Sequence, residues 1–241
     1  MVSLAAVLTV AALVVPRSAS APRVDCSLDD AAWAGAVVVD GFRQTQPGDN
    51  ASPTHRTTAR LVYTRDALHI AIEAEDDPAL VRSTLAARDA IASEDHVEIY
   101  LDTFHDRRRA YVLMVNAKGV QQDGLLGEGR ETDFSVDIVF QSAGCVTASG
   151  YTVELTIPFA SLRYRAGEGR EWGLHILRQT QRLGEEDSWM PLRRDRTSVD
   201  GTSGRQLRAR FLSQAGVLGG LDGVKHSPIV EAIPTIGVSR T

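Results

Sequence analysis

The chain has 241 residues, a length that fits one large all-β domain or a domain with part of a second. With 31 acidic and 26 basic side chains its formal net charge is -5, and acids stand beside every basic block, as Asp106 does beside Arg107. A nucleic-acid-binding surface needs concentrated positive charge and aromatic platforms, and aromatic residues make up only 6% of this chain. The composition therefore excludes a nucleic-acid-binding protein.

The first residues are typical of an export signal. Residues 4–15 form an apolar run that is too short to cross a bilayer as a helix, and Pro16 ends it. Small residues follow at positions 18–21, so we predict a signal peptide over residues 1–21 and an exported protein. Cys26 and Cys145 would then meet an oxidising compartment. The sequence leaves open whether they form a disulfide or remain two free thiols.

The rest of the chain is predicted to consist mainly of short strands. Alternating or β-rich segments between turn residues predict strands at residues 37–40, 59–63, 67–75, 96–102, 111–116, 134–142, 151–157, 173–182 and 205–212. Short helical segments are expected near Trp33 and over residues 79–92 and 158–162, and a loop is expected over residues 121–129. Many strands with little helix predict an all-β, antiparallel β-sandwich of the jelly-roll type.

Residues 96–102 carry the clearest pattern in the chain. Their sequence, HVEIYLD, alternates three apolar residues with four polar ones. A period of two predicts a strand with one face in a core. The other face presents an imidazole, two carboxylates and a phenol, which either bind a polar ligand or a cation or simply meet water. Both interpretations stay open at this point.

Landmarks between residues 24 and 212 resemble, in order, the family 9 carbohydrate-binding modules, which have a DOMON-like β-sandwich. The resemblance rests on VD at 24–25, LDD at 28–30, Trp33, LHIA at 68–71, DHVEIYLD at 95–102, FHDRR at 104–108, Asn116 with GVQ at 119–121, IPF at 157–159 and SW at 188–189. The later motifs are similar to a bacterial envelope subgroup in which such a module precedes a β-rich region resembling an outer-membrane barrel. The expected domains are therefore a module over residues 22–215 and the start of a truncated barrel-like region over residues 216–241.

The resemblance implies an exported carbohydrate-binding module, non-catalytic by itself, in the periplasm, the outer membrane or the cell surface of a bacterium. Its partner would be a polysaccharide or oligosaccharide, and its role would lie in polysaccharide breakdown or uptake beside glycosyl hydrolases. Two alternatives stay open, namely a structural or plug domain of an outer-membrane barrel and a hydrolase acting on O-glycosyl bonds. The sequence singles out no catalytic residue, because it contains no G-x-S-x-G elbow and no H-E-x-x-H motif.

A sugar site is expected to combine an aromatic platform with hydrogen-bonding groups on rigid strands. Trp33 and Trp172 are interpreted as core residues, which leaves Trp189 as the platform candidate. For Trp189, packing against a loop stays open as an alternative. The hydrogen-bonding candidates are Arg178, for which a salt bridge across the sheet is the alternative, Glu98, Tyr100 and Asn116.

Structural calcium is associated with related modules, and calcium prefers carboxylate and carbonyl oxygens on loops. The candidate ligands are the acidic turn residues Asp76, Asp77, Glu94 and Asp95. None of these pairs has the spacing of a recognised calcium loop, and an acidic turn that only meets water is the alternative. Zinc is poorly supported, because the histidines show no ligand spacing.

Overall fold

The computed structural model of the protein describes residues 12–85, 87–165, 167, 169–192 and 210–224. The strands are β1 (Leu13–Val14), β2 (Val37–Val39), β3 (Arg43–Gln46), β4 (Thr57–Tyr63), β5 (Ala67–Glu75), β6 (His96–Asp102), β7 (Arg109–Asn116), β8 (Gln121–Gly127), β9 (Gln141–Thr147), β10 (Gly150–Pro158), β11 (Trp172–Thr180), β12 (Glu185–Ser188) and β13 (Gly216–Gly219). The helix α1 spans Ala31–Ala34, and three 3-10 turns span Phe159–Ser161, Gln181–Leu183 and Leu212–Gln214.

These strands form two sheets. Sheet 1 has eight strands in the order β1-β13-β11-β6-β7-β8, and in addition β12 pairs with β11 and β3 pairs with β12. Sheet 2 has five strands in the order β2-β4-β5-β10-β9. Among the described strands only the β1–β13 pair is parallel. The prediction of an all-β antiparallel sandwich is confirmed.

The core lies between the sheets, and the alternation of the strands decides which side chains enter it. Val97, Ile99 and Leu101 of β6 are 0% exposed and pack in one cluster with Ile70 of β5 and Leu155 of β10. Each fully buried aliphatic side chain of this kind contributes about 1.5–3 kcal/mol relative to an exposed one. The predicted inner face of residues 96–102 is therefore confirmed, and their polar side chains lie on the outer face of sheet 1.

A segment before β2 covers the outer face of sheet 2. Trp33, on α1, is 4% exposed and packs against Val62 of β4 and Ala71 of β5. Glu154 of β10 lies beneath this segment and accepts a hydrogen bond from the Trp33 indole Nε1 at 3.1 Å. Its second carboxylate oxygen accepts the backbone N–H groups of Asp25 and Cys26, at 2.9 and 2.5 Å. Trp33 is thus a structural residue, as its sequence context indicated.

The two cysteines form a disulfide that holds the same segment against β9. Cys26 and Cys145 are 119 residues apart in sequence, and their Cα atoms are 6.0 Å apart. Of the two alternatives that the sequence left open, the structure has the disulfide.

The described N-terminal residues include β1, which is the edge strand of sheet 1. β1 pairs with β13, and Val15 is buried and donates its N–H to the Gly219 carbonyl at 2.9 Å. Residues 13–17 lie within the predicted export signal, whose removal stays a prediction, and residues 1–11 lie outside the described residues.

Sheet 1 includes residues beyond residue 215, the predicted end of the module, and the predicted division of the chain stays a prediction. β13 pairs with β11, so the sheet extends to residue 219 and not only to residue 215. The rest of the expected barrel-like region, residues 225–241, lies outside the described residues. No helix in the described part of the chain is long and apolar enough to span a membrane.

Three local predictions are wrong. The helix expected over residues 79–92 is absent from the described part of that segment, which runs as turns and irregular backbone. The loop expected from residue 121 is instead β8, which pairs with β7 along its length. The strand expected from residue 134 begins only at Gln141. Of the strand expected over residues 205–212, only residues 210–212 are described, and they lie in a turn and the start of a 3-10 turn.

Candidate functional site

A cavity of about 770 Å³ opens on the outer face of sheet 1. Its polar floor and walls come from strands of sheet 1 and include Glu98 and Tyr100 of β6, Gln122 of β8, Gln179 of β11, Glu186 of β12 and Thr45 of β3. Because the inward residues of β6 and β11 fill the core, Glu98, Tyr100 and Gln179 rise from a rigid base. This is the principal candidate site of the described residues.

Glu98 is the centre of a hydrogen-bond network at the cavity floor. Its Oε1 lies 3.0 Å from Nε2 of His96, and the Tyr100 hydroxyl donates to its Oε2. The side chain of Gln179 is a further hydrogen-bond partner of this carboxylate. The other ring nitrogen of His96, Nδ1, lies 2.6 Å from the backbone carbonyl of Glu94. Glu98 is therefore held in one orientation by groups from two strands.

The geometry around His96 favours a charged imidazole. Both ring nitrogens face acceptors, a carbonyl and a carboxylate, and a neutral imidazole has only one N–H to donate. Burial alone would lower the pKa of His96, but the hydrogen bond to Glu98 and its negative charge outweigh burial and raise that pKa. Burial would likewise raise the pKa of Glu98, and the bonds with His96 and Tyr100 lower it. The cavity floor thus contains an imidazolium–carboxylate pair.

A second carboxylate stands beside this network. The amide of Gln179 donates to Oε2 of Glu186 at 2.9 Å and also bonds Glu98, so it lies between the two acids. Thr45 donates its hydroxyl to the other oxygen of Glu186 at 2.6 Å. Each carboxylate can accept about four hydrogen bonds. Both therefore keep acceptor capacity for a ligand that carries hydroxyl groups.

Aromatic and aliphatic groups form the remaining wall of the cavity. The ring of Phe211 packs edge-to-face on Tyr100 with centroids 4.8 Å apart, and its face stacks on His175 at 4.1 Å. Burial lowers the pKa of His175 to about 4, so this second histidine is neutral near pH 7. Phe134 also lines the cavity and is 41% exposed. The site therefore combines apolar surface with a few convergent polar groups, the usual composition of a small-ligand site.

The five ligand-binding residues predicted from the sequence do not share one place. Glu98 and Tyr100 line the cavity. Arg178 points to the opposite side of sheet 1, where it is 1% exposed and forms a salt bridge with Asp76 at 3.0 Å. Its guanidinium also lies 5.5 Å from the ring centroid of Tyr151. The expectation that Arg178 faces a ligand is therefore corrected, and its partner across the sandwich is Asp76.

Asn116 and Trp189 are also placed elsewhere. Asn116 is fully buried under the preceding loop, where its amide donates to the Thr84 carbonyl at 3.0 Å and to Glu94 at 2.5 Å. Trp189 packs against the main core, and its ring occupies the space above Gly216. Neither residue lines the cavity. The expectation that they belong to a shared site is corrected, because loop packing and core packing occupy their polar and aromatic groups.

The four calcium candidates already have protein donors. Asp76 accepts from two guanidinium groups, Asp77 from a backbone N–H, Glu94 from a hydroxyl and an amide, and Asp95 from two backbone N–H groups. In the described part of the chain no group of three or more His, Cys, Asp or Glu side chains is arranged to hold a metal ion. Calcium stays a prediction without a ligand cluster to support it.

Sequence reasoning missed several cavity residues, although a signal for one of them was present. On β11, Trp172, Leu174 and Ile176 face the core. Because side chains alternate between the two faces of a strand, Arg178 points inward and Gln179 points outward. Gln122 was missed because its segment was predicted as a loop. Thr45, Glu186 and Phe211 carry no local signal, since they reach the cavity only through pairing of β3 with β12 and packing of a distant segment.

The fold is a β-sandwich with a cavity on the outer face of one sheet. The family described as "Carbohydrate family 9 binding domain-like" matches residues 24–198, which is most of the chain. The protein belongs to this family, which confirms the resemblance to family 9 carbohydrate-binding modules.

Solved structures share the fold. A family 9 module from Caldicellulosiruptor kristjanssonii in complex with cellotriose has 18% identity and a TM-score of 0.56, and the match covers 91% of this chain and 99% of that chain. A module from the same organism in complex with glucose has 18% identity and a TM-score of 0.55 over 90% and 99% of the chains. A Bacteroides uniformis protein assigned to carbohydrate binding has 13% identity and a TM-score of 0.62 over 86% and 98%. At these identities the similarity shows the fold alone. A search of curated proteins found no significant match.

Proposed function

We propose that this protein is an exported, non-catalytic carbohydrate-binding module that binds a saccharide in the cavity on sheet 1. The observation that carries the proposal is the convergence of Glu98, Gln179 and Glu186 at the cavity floor opposite an aromatic wall. Family membership and the saccharide complexes of the structural neighbours support the same ligand class.

Saccharide chemistry matches the polar groups of the cavity. Hydroxyl groups of a sugar both donate and accept, and the carboxylates of Glu98 and Glu186 offer strong acceptors for their protons. Gln122 supplies a complementary donor, because its amide oxygen accepts the N–H of Ile91 and its amide nitrogen has no partner among the described residues. The C–H face of a sugar ring would lie against an aromatic side chain, and Phe134 is the exposed aromatic at the cavity.

Export and a role in polysaccharide breakdown or uptake at a bacterial envelope are part of the proposal. The apolar N-terminal run supports export, and the disulfide between Cys26 and Cys145 supports an oxidising compartment. Association with the outer membrane through the C-terminal barrel-like region, which is predicted to begin at residue 216, is proposed from the sequence resemblance alone.

One observation favours hydrolysis of O-glycosyl bonds as a second candidate function. Glu98 and Glu186 bond the same Gln179 amide, so two carboxylates stand in one cavity, and glycosidases act with a pair of carboxylates. A glycosidase also needs a protonated carboxyl group as its acid. Glu98 does not fit that role, since its pKa is lowered and its oxygens are held by other donors. Because the family is one of carbohydrate-binding domains, binding without catalysis is the preferred function.

The test is a glycan-array screen with the full chain, followed by calorimetric titration of the best oligosaccharides and of cellotriose. Glu98→Gln should weaken binding about 10- to 100-fold, because a hydrogen bond to a charged group contributes roughly 1.5–3 kcal/mol. Glu73→Gln is the matched control, because Glu73 is a strand glutamate on sheet 2 that pairs with Arg60. It should leave the affinity unchanged.

Two further variants keep the test informative if Glu98→Gln folds poorly. Phe134→Ala removes an exposed ring at the cavity and should weaken binding about 3- to 10-fold. Trp189→Ala removes the aromatic side chain that the sequence favoured and should leave the affinity within about twofold, because the ring packs against the core. Binding to no glycan at millimolar concentration would contradict the proposal and favour the structural or plug-domain alternative. Turnover of a bound glycan that Glu98→Gln abolishes would favour the hydrolase.

A further inference from the structure

The ion pair at the cavity floor has a consequence for binding. We propose that His96 is a positioning residue whose proton holds the Glu98 carboxylate ready for a saccharide hydroxyl, so that affinity falls when His96 loses its charge. The inference rests on the proposed function, because it concerns the same cavity.

The first step is the orientation of Glu98. The Glu98 side chain is only 10% exposed, and three donors approach it, namely His96, Tyr100 and Gln179. A carboxylate has about four acceptor positions. Three are therefore used inside the protein, and one acceptor direction is left for a ligand at the cavity.

The second step is what happens when His96 loses a proton. The Nδ1–H donates to the Glu94 carbonyl, 2.6 Å away, so the proton that leaves is the one on Nε2. The Nε2 lone pair would then face the Glu98 carboxylate at 3.0 Å, and a nearly buried carboxylate would lose its counter-charge. Glu98 must then turn away from the imidazole, which removes the acceptor that the saccharide needs.

The third step concerns the other groups around His96. The charged neighbours that act on it are the acids Glu98, Asp95 and Glu94, and all three favour its protonated form. Across the sheet it pairs with uncharged side chains, those of Gln179 on β11 and Asn116 on β7. The pKa of His96 is raised above 6.5, and the pKa values of Glu94 and Glu98 are lowered. The proton of His96 is therefore the charge expected to change as the pH rises above 6.5.

The experiment measures affinity against pH with calorimetry, using cellotriose and the tightest oligosaccharide of the array. In the wild type the affinity should fall at least tenfold between pH 6 and pH 9. The midpoint should match the pKa of His96 measured by NMR. In His96→Gln the amide donates an N–H to Glu98 without titrating, so binding should become independent of pH.

The matched control is His69→Gln. His69 is a buried strand histidine on sheet 2 that bonds Thr64 and Thr156, and burial lowers its pKa to about 4. This variant should keep the pH profile of the wild type. A wild-type affinity that is constant from pH 6 to pH 9 would overturn the inference while leaving the proposed function intact. The same fall in His96→Gln as in the wild type would also overturn it.

A measurement on the wild type alone covers the case in which His96→Gln does not fold. If the saccharide prefers protonated His96, binding must raise the pKa of His96 by linkage, by about one unit for a tenfold preference. NMR titration of the imidazole with and without saturating saccharide tests this. An unchanged pKa on saturation overturns the inference. Binding of no glycan at any pH overturns both the inference and the proposed function.

Discussion

The two outer faces of the sandwich use the same residue type in opposite ways. Glu98 of β6 and Glu154 of β10 each project outward from an interior strand of their sheet. Glu98 has a cationic partner, and its pKa is lowered. Glu154 accepts only neutral N–H groups beneath the disulfide-bonded segment, and burial raises its pKa despite those bonds. The difference lies in what covers each face. Glu154 holds the covering segment in place, and Glu98 borders the cavity.

Removing the Trp33 side chain should loosen the segment that covers the outer face of sheet 2 and give the largest change in stability. Trp33→Ala should lower the free energy of unfolding by about 3–5 kcal/mol, because it deletes a large buried ring and leaves a cavity. Denaturant unfolding measures the loss. Trp33→Phe keeps most of the packing but loses the N–H to Glu154, and it should cost about 1–3 kcal/mol.

The same variant tests whether the two faces are independent. Below its unfolding transition, Trp33→Ala should bind saccharide with wild-type affinity, because Trp33 lies on sheet 2 and the cavity lies on sheet 1. A loss of affinity in the folded variant would show that the two faces are coupled.

Breaking the disulfide should have the next largest effect. The double variant Cys26→Ser/Cys145→Ser should lose about 2–4 kcal/mol, because the unfolded chain is no longer cross-linked over 119 residues. Thermal and denaturant unfolding measure this loss. Wild-type protein treated with a reductant should match the variant. Equal stability of the oxidised and reduced wild type would contradict the role given to this bond.

The pKa values of Glu98 and Glu154 test the difference between the two faces directly, and this is the smallest of the expected effects. NMR titration should place the pKa of Glu98 below 4.5 and that of Glu154 above 4.5, and Glu98→Gln and Glu154→Gln assign the signals. Glu98 then contributes stability that is present above pH 4.5 and is lost as the pH falls through its lowered pKa. Glu154 contributes stability that is present below pH 4.5 and is lost as the pH rises through its raised pKa. A pKa of Glu98 that is higher than that of Glu154 would contradict the proposed difference between the two faces.

Strand alternation predicted much of the fold because it is a local property. In β6 the period of two in HVEIYLD was enough to separate the core residues from Glu98 and Tyr100. The same rule, applied along β11, would have chosen Gln179 over Arg178 as the outward residue. The polar composition of β8 led to the wrong prediction of a loop. The strand can bury Asp123 because this carboxylate forms an ion pair with Arg88 at 2.5 Å.

The sequence by itself determined the all-β class, the family, the inner face of β6 and the structural role of Trp33. Each of these depends on residues close together in the chain or on motifs in a fixed order. Only the tertiary structure decided that Cys26 meets Cys145, that Arg178 turns inward to Asp76, and that Asn116 and Trp189 serve packing. It also brought Glu186 and Thr45 to Gln179. These contacts join residues that are far apart in sequence, and the free energy of a buried polar group depends on the partner that the fold supplies, which no local pattern encodes.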